Sequence, residues 1–197
     1  MAMVTIPPWN IGGVLPPIYP GYPGESLFRA PFRVSLFDSI VHFSTSSRRQ
    51  TILKGFLEYR NSLHKSGLSK GFQWINGSFV ENVETNQNRD PNDIDVVTFF
   101  ELPPGETEAS LKTGFPHLFN HKHIKQQFLT DSYYLPLGSD KPTSYFIRQS
   151  NYWYSMWAHQ RDSLIWKGFL EIDLSQDSDD ESMKYLLNQT WTGVDHE

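Results

Sequence analysis

Apolar and polar positions change period along the chain, and each change marks an element. Ile52, Leu53, Phe56, Leu57, Arg60 and Leu63 recur at helical spacing. Ser47 with Gln50 forms a capping box ahead of them and Gly67 supplies a C-terminal stop, so the spacing predicts a helix over 47–67. Gly55 lies inside this helix and weakens it, which is explained most simply by close packing against a sheet. The stretch 36–43 is apolar and fits either a helix or a strand. After Gly71, the β-branched and aromatic content predicts strands over 72–75, 93–100 and 127–135. Leu118, Phe119 and Ile124 mark a helix over 116–125, and Trp153, Tyr154, Met156 and Trp157 mark another over 152–161. A final strand over 165–174 bends at Gly168. Past a polar, acidic stretch, Ser178 with Glu181 offers a second capping box before Met183, Leu186 and Leu187.

The opening segment breaks every period. Pro7, Pro8, Pro16, Pro17, Pro20, Pro23 and Pro31, with Gly12, Gly13, Gly21 and Gly24 between them, exclude regular helix or central strand. Trp9, Ile11, Val14, Leu15, Ile18 and Tyr19 are too apolar for a free tail, so this extended arm is expected to lie across the domain, with a flexible linker as the alternative. The expectation is an α/β (α+β) fold, a small mixed β-sheet with helices packed against it. Its parts are a Pro-rich N-terminal arm over 1–31, a main domain over 32–174, and an acidic tail with a short C-terminal helix over 175–197.

Composition narrows the function. A chain of 197 residues suffices for one sizeable core, and 38% apolar with 15% aromatic residues is the balance of a folded protein. Cysteine is absent, which excludes disulfides and thiolate-held zinc, agrees with a reducing cytoplasm, and leaves oxygen or imidazole to hold any metal. Neither a secretory leader within 1–31 nor a run of roughly 18 apolar residues is present, so no membrane insertion is expected. A net charge of −5 argues against broad binding to a phosphate backbone, while allowing a local basic cluster or bound metal to hold one anion.

The candidate chemistry lies on the strands. Side chains two apart on a strand share a face, so Asp93 and Asp95 project together while Ile94 and Val96 point inward. Two carboxylates this close repel unless a cation sits between them, and a hard divalent ion is the usual solution; two solvated aspartates at a strand edge are the alternative. Upstream, Gly77-Ser78 follows a strand, where glycine permits close backbone approach and N–H groups with the Ser hydroxyl can hold phosphate oxygens. Asp131, flanked by Phe128, Leu129, Tyr133 and Tyr134, supplies a third carboxylate on a strand that could lie beside 93–100.

The run Trp74-Ile75-Asn76-Gly77-Ser78-Phe79-Val80, followed by Pro91-Asn92-Asp93-Ile94-Asp95-Val96-Val97, resembles the nucleotidyltransferase superfamily, the DNA polymerase beta-like group, with its Gly-Ser turn and Asp-x-Asp strand. Within it the chain looks like a family of short bacterial nucleotidyltransferase-like proteins long catalogued as a domain of unknown function. Ile6-Pro7-Pro8 and Gly13-Val14-Leu15-Pro16-Pro17 resemble that family's opening; Tyr152-Trp153 through Arg161 to Lys167-Gly168 resemble its closing motif. The loop 81–92 is longer than the pattern's usual linker, and the acidic segment after Leu174 has no counterpart.

The resemblance implies a minimal nucleotidyltransferase fold and transfer of a nucleotide from an NTP, such as ATP, or a dNTP to a hydroxyl acceptor. Asp93, Asp95 and Asp131 would be the catalytic and metal-binding residues, holding Mg2+ or Mn2+; Gly77, Ser78, Arg161 and Lys167 would bind the nucleotide. It further implies oligonucleotide synthesis or protein nucleotidylation in a cytoplasmic antiviral defence setting, of the kind attributed to Hailong-type transferases. An oligonucleotide product or acceptor and an effector or toxin protein would be the partners. The competing class is a catalytically weak nucleotide- or partner-binding module, antitoxin-like, that keeps the fold.

Weaker constellations have plainer readings. Arg161 and Lys167 also fit surface ion pairs, and Trp153, Tyr154 and Trp157 fit core packing as well as base stacking. His117, His121 and His123 have a spacing that can bind zinc, but no Glu follows the first His in metalloprotease fashion. Asp173, Asp177, Asp179 and Asp180 lack a calcium loop's central Gly, so a solvated tail is expected.

Overall fold

The computed structural model describes residues 3–138 and 140–189. The sheet is built from β1 (Phe32–Arg33), β2 (Gly71–Asn76), β3 (Ile94–Glu101), β4 (Thr130–Leu137) and β5 (Leu170–Asp173), in the order β1-β5-β2-β3-β4. β1 runs parallel to β5, β2 runs antiparallel to both β5 and β3, and β3 runs parallel to β4. The helices are α1 (Leu36–Phe43), α2 (Ser47–Lys65), α3 (Val83–Gln87), α4 (Glu108–Gly114), α5 (His121–Phe128), α6 (Thr143–Trp157) and α7 (Asp179–Asn188). The expected α+β class with a mixed sheet is what folds. Among the described residues no helix is long and apolar enough to cross a membrane.

The period of two along β3 assigns its faces. Thr98 points at α2, where the Tyr59 hydroxyl meets it at 3.4 Å, and Tyr134 of β4 joins from the same side at 3.1 Å from Tyr59. The opposite face carries Phe99 stacked on Phe72 at 4.6 Å, with Trp74 against Phe99 and Phe169. Helix α6 covers this second face through Trp153 on Tyr133 and Trp157 with Tyr154 on Phe169.

The arm is laid into the domain. Val14 and Leu15 are fully buried. The Asn82 N–H donates to the Gly13 carbonyl at 2.8 Å, the Gly168 N–H to the Leu15 carbonyl at 2.7 Å, and the Trp9 indole N–H to the Val80 carbonyl at 2.8 Å. A freely flexible linker does not fit these contacts.

Several boundaries differ from the sequence expectation. The cap of α2 is Ser46, whose side chain accepts from the Arg49 N–H, one residue before the expected Ser47. Gly55 meets α5 rather than the sheet: a Cβ there would lie 2.3 Å from the Phe128 carbonyl oxygen. The expected strand over 127–135 starts at Thr130, because α5 continues through Phe128 and Leu129 turns the chain at a φ of 52°. The aromatic helix starts earlier than expected, at Thr143, and ends at Trp157, leaving 158–169 largely as a loop pinned by a His159–Trp166 bridge. Only Leu170–Asp173 of the expected last strand is extended in the sheet. Ser178 precedes α7 without a side-chain cap bond, and the acidic stretch is not simply solvated, since Asp179 pairs with Arg60 through both oxygens at 2.8 Å.

Candidate active site: a carboxylate cleft at the sheet end

Three neighbouring strands deliver the site. Strand β2 ends at Asn76, which pairs with Asp95 near the start of β3, and Asp95 pairs in turn with Asp131 near the start of β4. The parallel register of β3 and β4 thus aligns Asn76, Asp95 and Asp131 in one row across the sheet end, on the face away from α2. Asp93, just before β3, adds the third carboxylate. These groups open into a cleft of about 520 Å³ lined by all the residues expected to hold metal or nucleotide: Gly77, Ser78, Asp93, Asp95, Asp131, Arg161 and Lys167.

The Gly-Ser turn fits against Asp95. Gly77 has a φ of 83°, and a Cβ on it would lie 1.8 Å from Asp95 Oδ2, so glycine is required both by the backbone and by the carboxylate above it. Ser78 begins a short 3-10 turn, Ser78–Val80. The Lys167 ammonium donates to the Gly77 carbonyl at 3.3 Å and to Glu81 Oε1 at 2.6 Å, while Gln160 donates to the other Glu81 oxygen at 2.7 Å. Lys167 is 4% exposed and Glu81 7%, so the surface ion pair is in fact a buried one. Burial pushes the Lys167 ammonium below its usual pKa, against the pull of Glu81 and Asp95. Arg161 is exposed on the loop after α6 and lines the cleft.

Two arginines at the start of α2 hold both loops of the cleft. Arg49 is fully buried and donates to the carbonyls of Phe79 and Glu81, each at 2.6 Å, and to Glu84 Oε2 at 2.9 Å. Burial opposes ionisation of Glu84, yet the Arg49 guanidinium holds its carboxyl below the usual range. Arg48 donates to the carbonyls of Pro91 and Asn92, directly ahead of Asp93.

The electrostatics are those of crowded acids. Burial, then the charges of Asp93 and Asp131, push the Asp95 carboxyl up to about 6. The Lys125 ammonium of α5 lies 2.7 Å from Asp93 Oδ2 and 2.8 Å from Asp131 Oδ2, bridging the two. Although partial burial disfavours its charge, these carboxylates hold Lys125 well above its ordinary pKa. His121 Nε2 stands 3.0 Å from Asp131 Oδ1, and its Nδ1 lies 3.1 Å from the Ser132 carbonyl. Burial and the Asp131 charge raise the Tyr133 phenol to about 12.

One buried oxygen in the cleft, Asn76 Oδ1, has no hydrogen-bond partner, and Asp131 Oδ1 has only the His121 ring beside it, at 3.0 Å. With Asp93 and Asp95 these residues bring only oxygen donors to the cleft, the donor type that suits a hard divalent ion such as magnesium or manganese. Among the described residues no three His, Asp or Glu side chains are grouped to hold a metal as they stand; Asp93 and Asp131 close on Lys125 instead. The histidines divide: His117 and His123 stack edge-on at 6.4 Å, whereas His121 turns to Asp131.

Sequence reasoning missed Arg48, Arg49, Glu81, Lys125 and Gln160. Most act through partners far along the chain, Arg49 and Glu84 being 35 residues apart and Lys167 and Glu81 86, and no local spacing announces such pairs; Lys125 and Asp131 are only six apart, but a helix end and a strand start separate them. The aromatic cluster follows its core reading, since Trp153 and Trp157 are buried, although Met156 and Trp157 also line the cleft.

Fold and site together define an α+β protein with a three-aspartate cleft where two parallel strands begin beside a Gly-Ser turn. The chain belongs to the family of unknown function DUF6932, whose model matches residues 7–173. No curated protein and no solved structure matches the chain.

Proposed function

We propose that this protein is a metal-dependent nucleotidyltransferase that moves a nucleotide from an NTP or dNTP to a hydroxyl acceptor. One observation carries the reading: the Gly77-Ser78 turn and the carboxylates of Asp93, Asp95 and Asp131 converge on a single cleft. The acceptor oxygen would attack the α-phosphorus, the bond to the bridging oxygen would break, and pyrophosphate would leave. A bound Mg2+ or Mn2+ would neutralise phosphate charge and ease deprotonation of the acceptor. Asp93, Asp95 and Asp131 would hold it, with Asn76 Oδ1 as a neutral fourth donor. Backbone N–H groups at Gly77 and Ser78 would hold the β and γ phosphates. Lys167, being buried, would act by fixing the turn through the Gly77 carbonyl and Glu81, while the exposed Arg161 would balance charge at the cleft mouth. The proposal extends to a cytoplasmic role in bacterial antiviral defence, with an oligonucleotide product or acceptor and an effector or toxin protein as partner; its support is the resemblance to short bacterial transferases.

A second reading, a nucleotide- or partner-binding module without turnover, is favoured by the Lys125 ammonium that already neutralises Asp93 and Asp131. Pyrophosphate release from separate ribo- and deoxyribonucleoside triphosphates with Mg2+ or Mn2+, with products resolved by mass, separates the two. The transferase predicts turnover that Asp93→Ala and Asp95→Ala each abolish. A thermal shift with triphosphate and no product in any combination would establish the binding module.

A further inference from the structure

We propose that Lys125 is a resident counter-cation that holds Asp93 and Asp131 together in the metal-free protein and leaves them when a divalent ion binds, swinging to the phosphates of the incoming triphosphate. This deepens the nucleotidyltransferase reading and rests on it. Lys125 Nζ contacts Asp93 Oδ2 at 2.7 Å and Asp131 Oδ2 at 2.8 Å, so a single ammonium spans two of the three carboxylates assigned to the metal. Without it, Asp93 and Asp95 would crowd Asp131 at the starts of two paired strands with only His121 against Asp131, a costly arrangement in a part-buried cleft. The ammonium and a divalent ion compete for the same oxygens. An ion with two charges and several coordination positions wins that contest once it is present, because Lys offers one charge and three donors.

The means of leaving is built in. The Lys125 side chain is 46% exposed, against 17% for Asp93 and 13% for Asp131, so the lysine approaches from the solvent side on a flexible stem, while Asp131 is held within β4 and Asp93 directly ahead of β3. It sits in the last turn of α5, at the rim of the cleft that also holds Gly77 and Ser78. Released, it stays beside the path of a triphosphate whose inner end is held at the Gly-Ser turn. Lys167 cannot play this part, since Glu81 and the Gly77 carbonyl occupy its ammonium inside the protein.

The test is Mn2+ affinity without nucleotide, read by electron paramagnetic resonance and calorimetry, on the full chain and its Lys125→Met, Lys125→Arg and Lys122→Met variants. Lys122→Met removes the same charge from an exposed position of the same helix that does not line the cleft. With its competitor gone, Lys125→Met is expected to bind Mn2+ about tenfold more tightly, the scale of two part-exposed ion contacts, with Lys122→Met unchanged and Lys125→Arg close to wild type. Lys125→Met should also melt lower than wild type in chelator and recover at saturating Mn2+, a crossing that general loss of structure does not give. Its KM for the triphosphate should rise. Unchanged or weaker Mn2+ binding in Lys125→Met, or equal tightening in Lys122→Met, overturns the proposal even if the wild type turns over. The expected Mn2+ pattern with no pyrophosphate release from any triphosphate would instead sink the transferase reading and leave the counter-cation standing.

Discussion

At the residue scale, Gly77 and Asp95 are one unit. A methyl group on residue 77 would have to occupy space 1.8 Å from Asp95 Oδ2, at a φ of 83° that L-residues avoid. Gly77→Ala is therefore expected to cost roughly 1–3 kcal/mol in urea unfolding and to reduce the thermal shift given by Mn2+, because relief of the clash must move the carboxylate. A variant with wild-type stability and wild-type metal response would show that the turn relaxes freely. Asp95 also imposes a pH dependence. Its carboxyl is raised from 3.8 to about 6 in the folded protein, by burial first and by Asp93 and Asp131 next, so the native state keeps a proton that the unfolded chain has already released. Stability in chelator should fall as pH rises from about 4 through about 6 and level off above, the sign for an acid whose folded pKa is elevated. Asp95→Asn should flatten that fall and be more stable than wild type at pH 7, by roughly 3 kcal/mol. Parallel pH profiles for the two proteins would rule out this account of Asp95.

At the scale of elements, α2 anchors the site. Its first turn carries Arg48 and Arg49, which fix the loop ahead of Asp93 and the loop after Ser78, and its middle meets α5 at Gly55. Replacing an interior helical glycine by alanine ordinarily stabilises by about 1 kcal/mol. At Gly55 the new Cβ would lie 2.3 Å from the Phe128 carbonyl oxygen, a backbone atom that cannot swing aside, so Gly55→Ala should lower the melting temperature. Because Lys125 sits on the displaced helix, the variant should also disturb Mn2+ binding. A raised melting temperature would mean that α5 can retreat from α2 at little cost. Helix α2 itself was legible in sequence, since its apolar stripe is long and periodic, whereas the partner of Gly55 was not. The start of β4 was misplaced for a related reason: Gln127 and Phe128 suit strand or helix alike, and tertiary packing of Phe128 on Tyr59 decides for the helix. The Asp93 and Asp95 pairing was readable from alternation alone. That Asp131 aligns with Asp95 depends on a parallel register closed across α4 and α5, which no local pattern encodes.

At the scale of the whole molecule, the family match ends at residue 173, yet the chain's packing does not. Helix α7 lies against α1 and α2, with Leu186 fully buried and Tyr185 edge-on to Phe37 at 5.6 Å. Composition made the segment ahead of it look like a solvated acidic tail, because the cation that Asp179 answers is Arg60, 119 residues away. Arg60 is fully buried, and its guanidinium donates to Gln73 Oε1, to the carbonyls of Asp173 and Ser175, and to both oxygens of Asp179. Removing one partner of such a pair leaves a buried charge uncompensated, so Asp179→Ala is expected to cost roughly 3–5 kcal/mol, far above the cost at exposed Asp180. Replacing both ends together with apolar groups, as in Arg60→Met with Asp179→Leu, should recover much of the loss, since the desolvation of the two charges disappears with them. Urea unfolding of the single and double variants measures the coupling. The cleft lies where β2 ends at Asn76, and Arg60 reaches the same strand at Gln73, so the strand links the two sites without sharing a side chain. The Mn2+ thermal shift should therefore survive in the double variant; its loss there would mean that α7 helps set the position of the Gly-Ser turn through β2, and that the segment beyond the family match belongs to the working site.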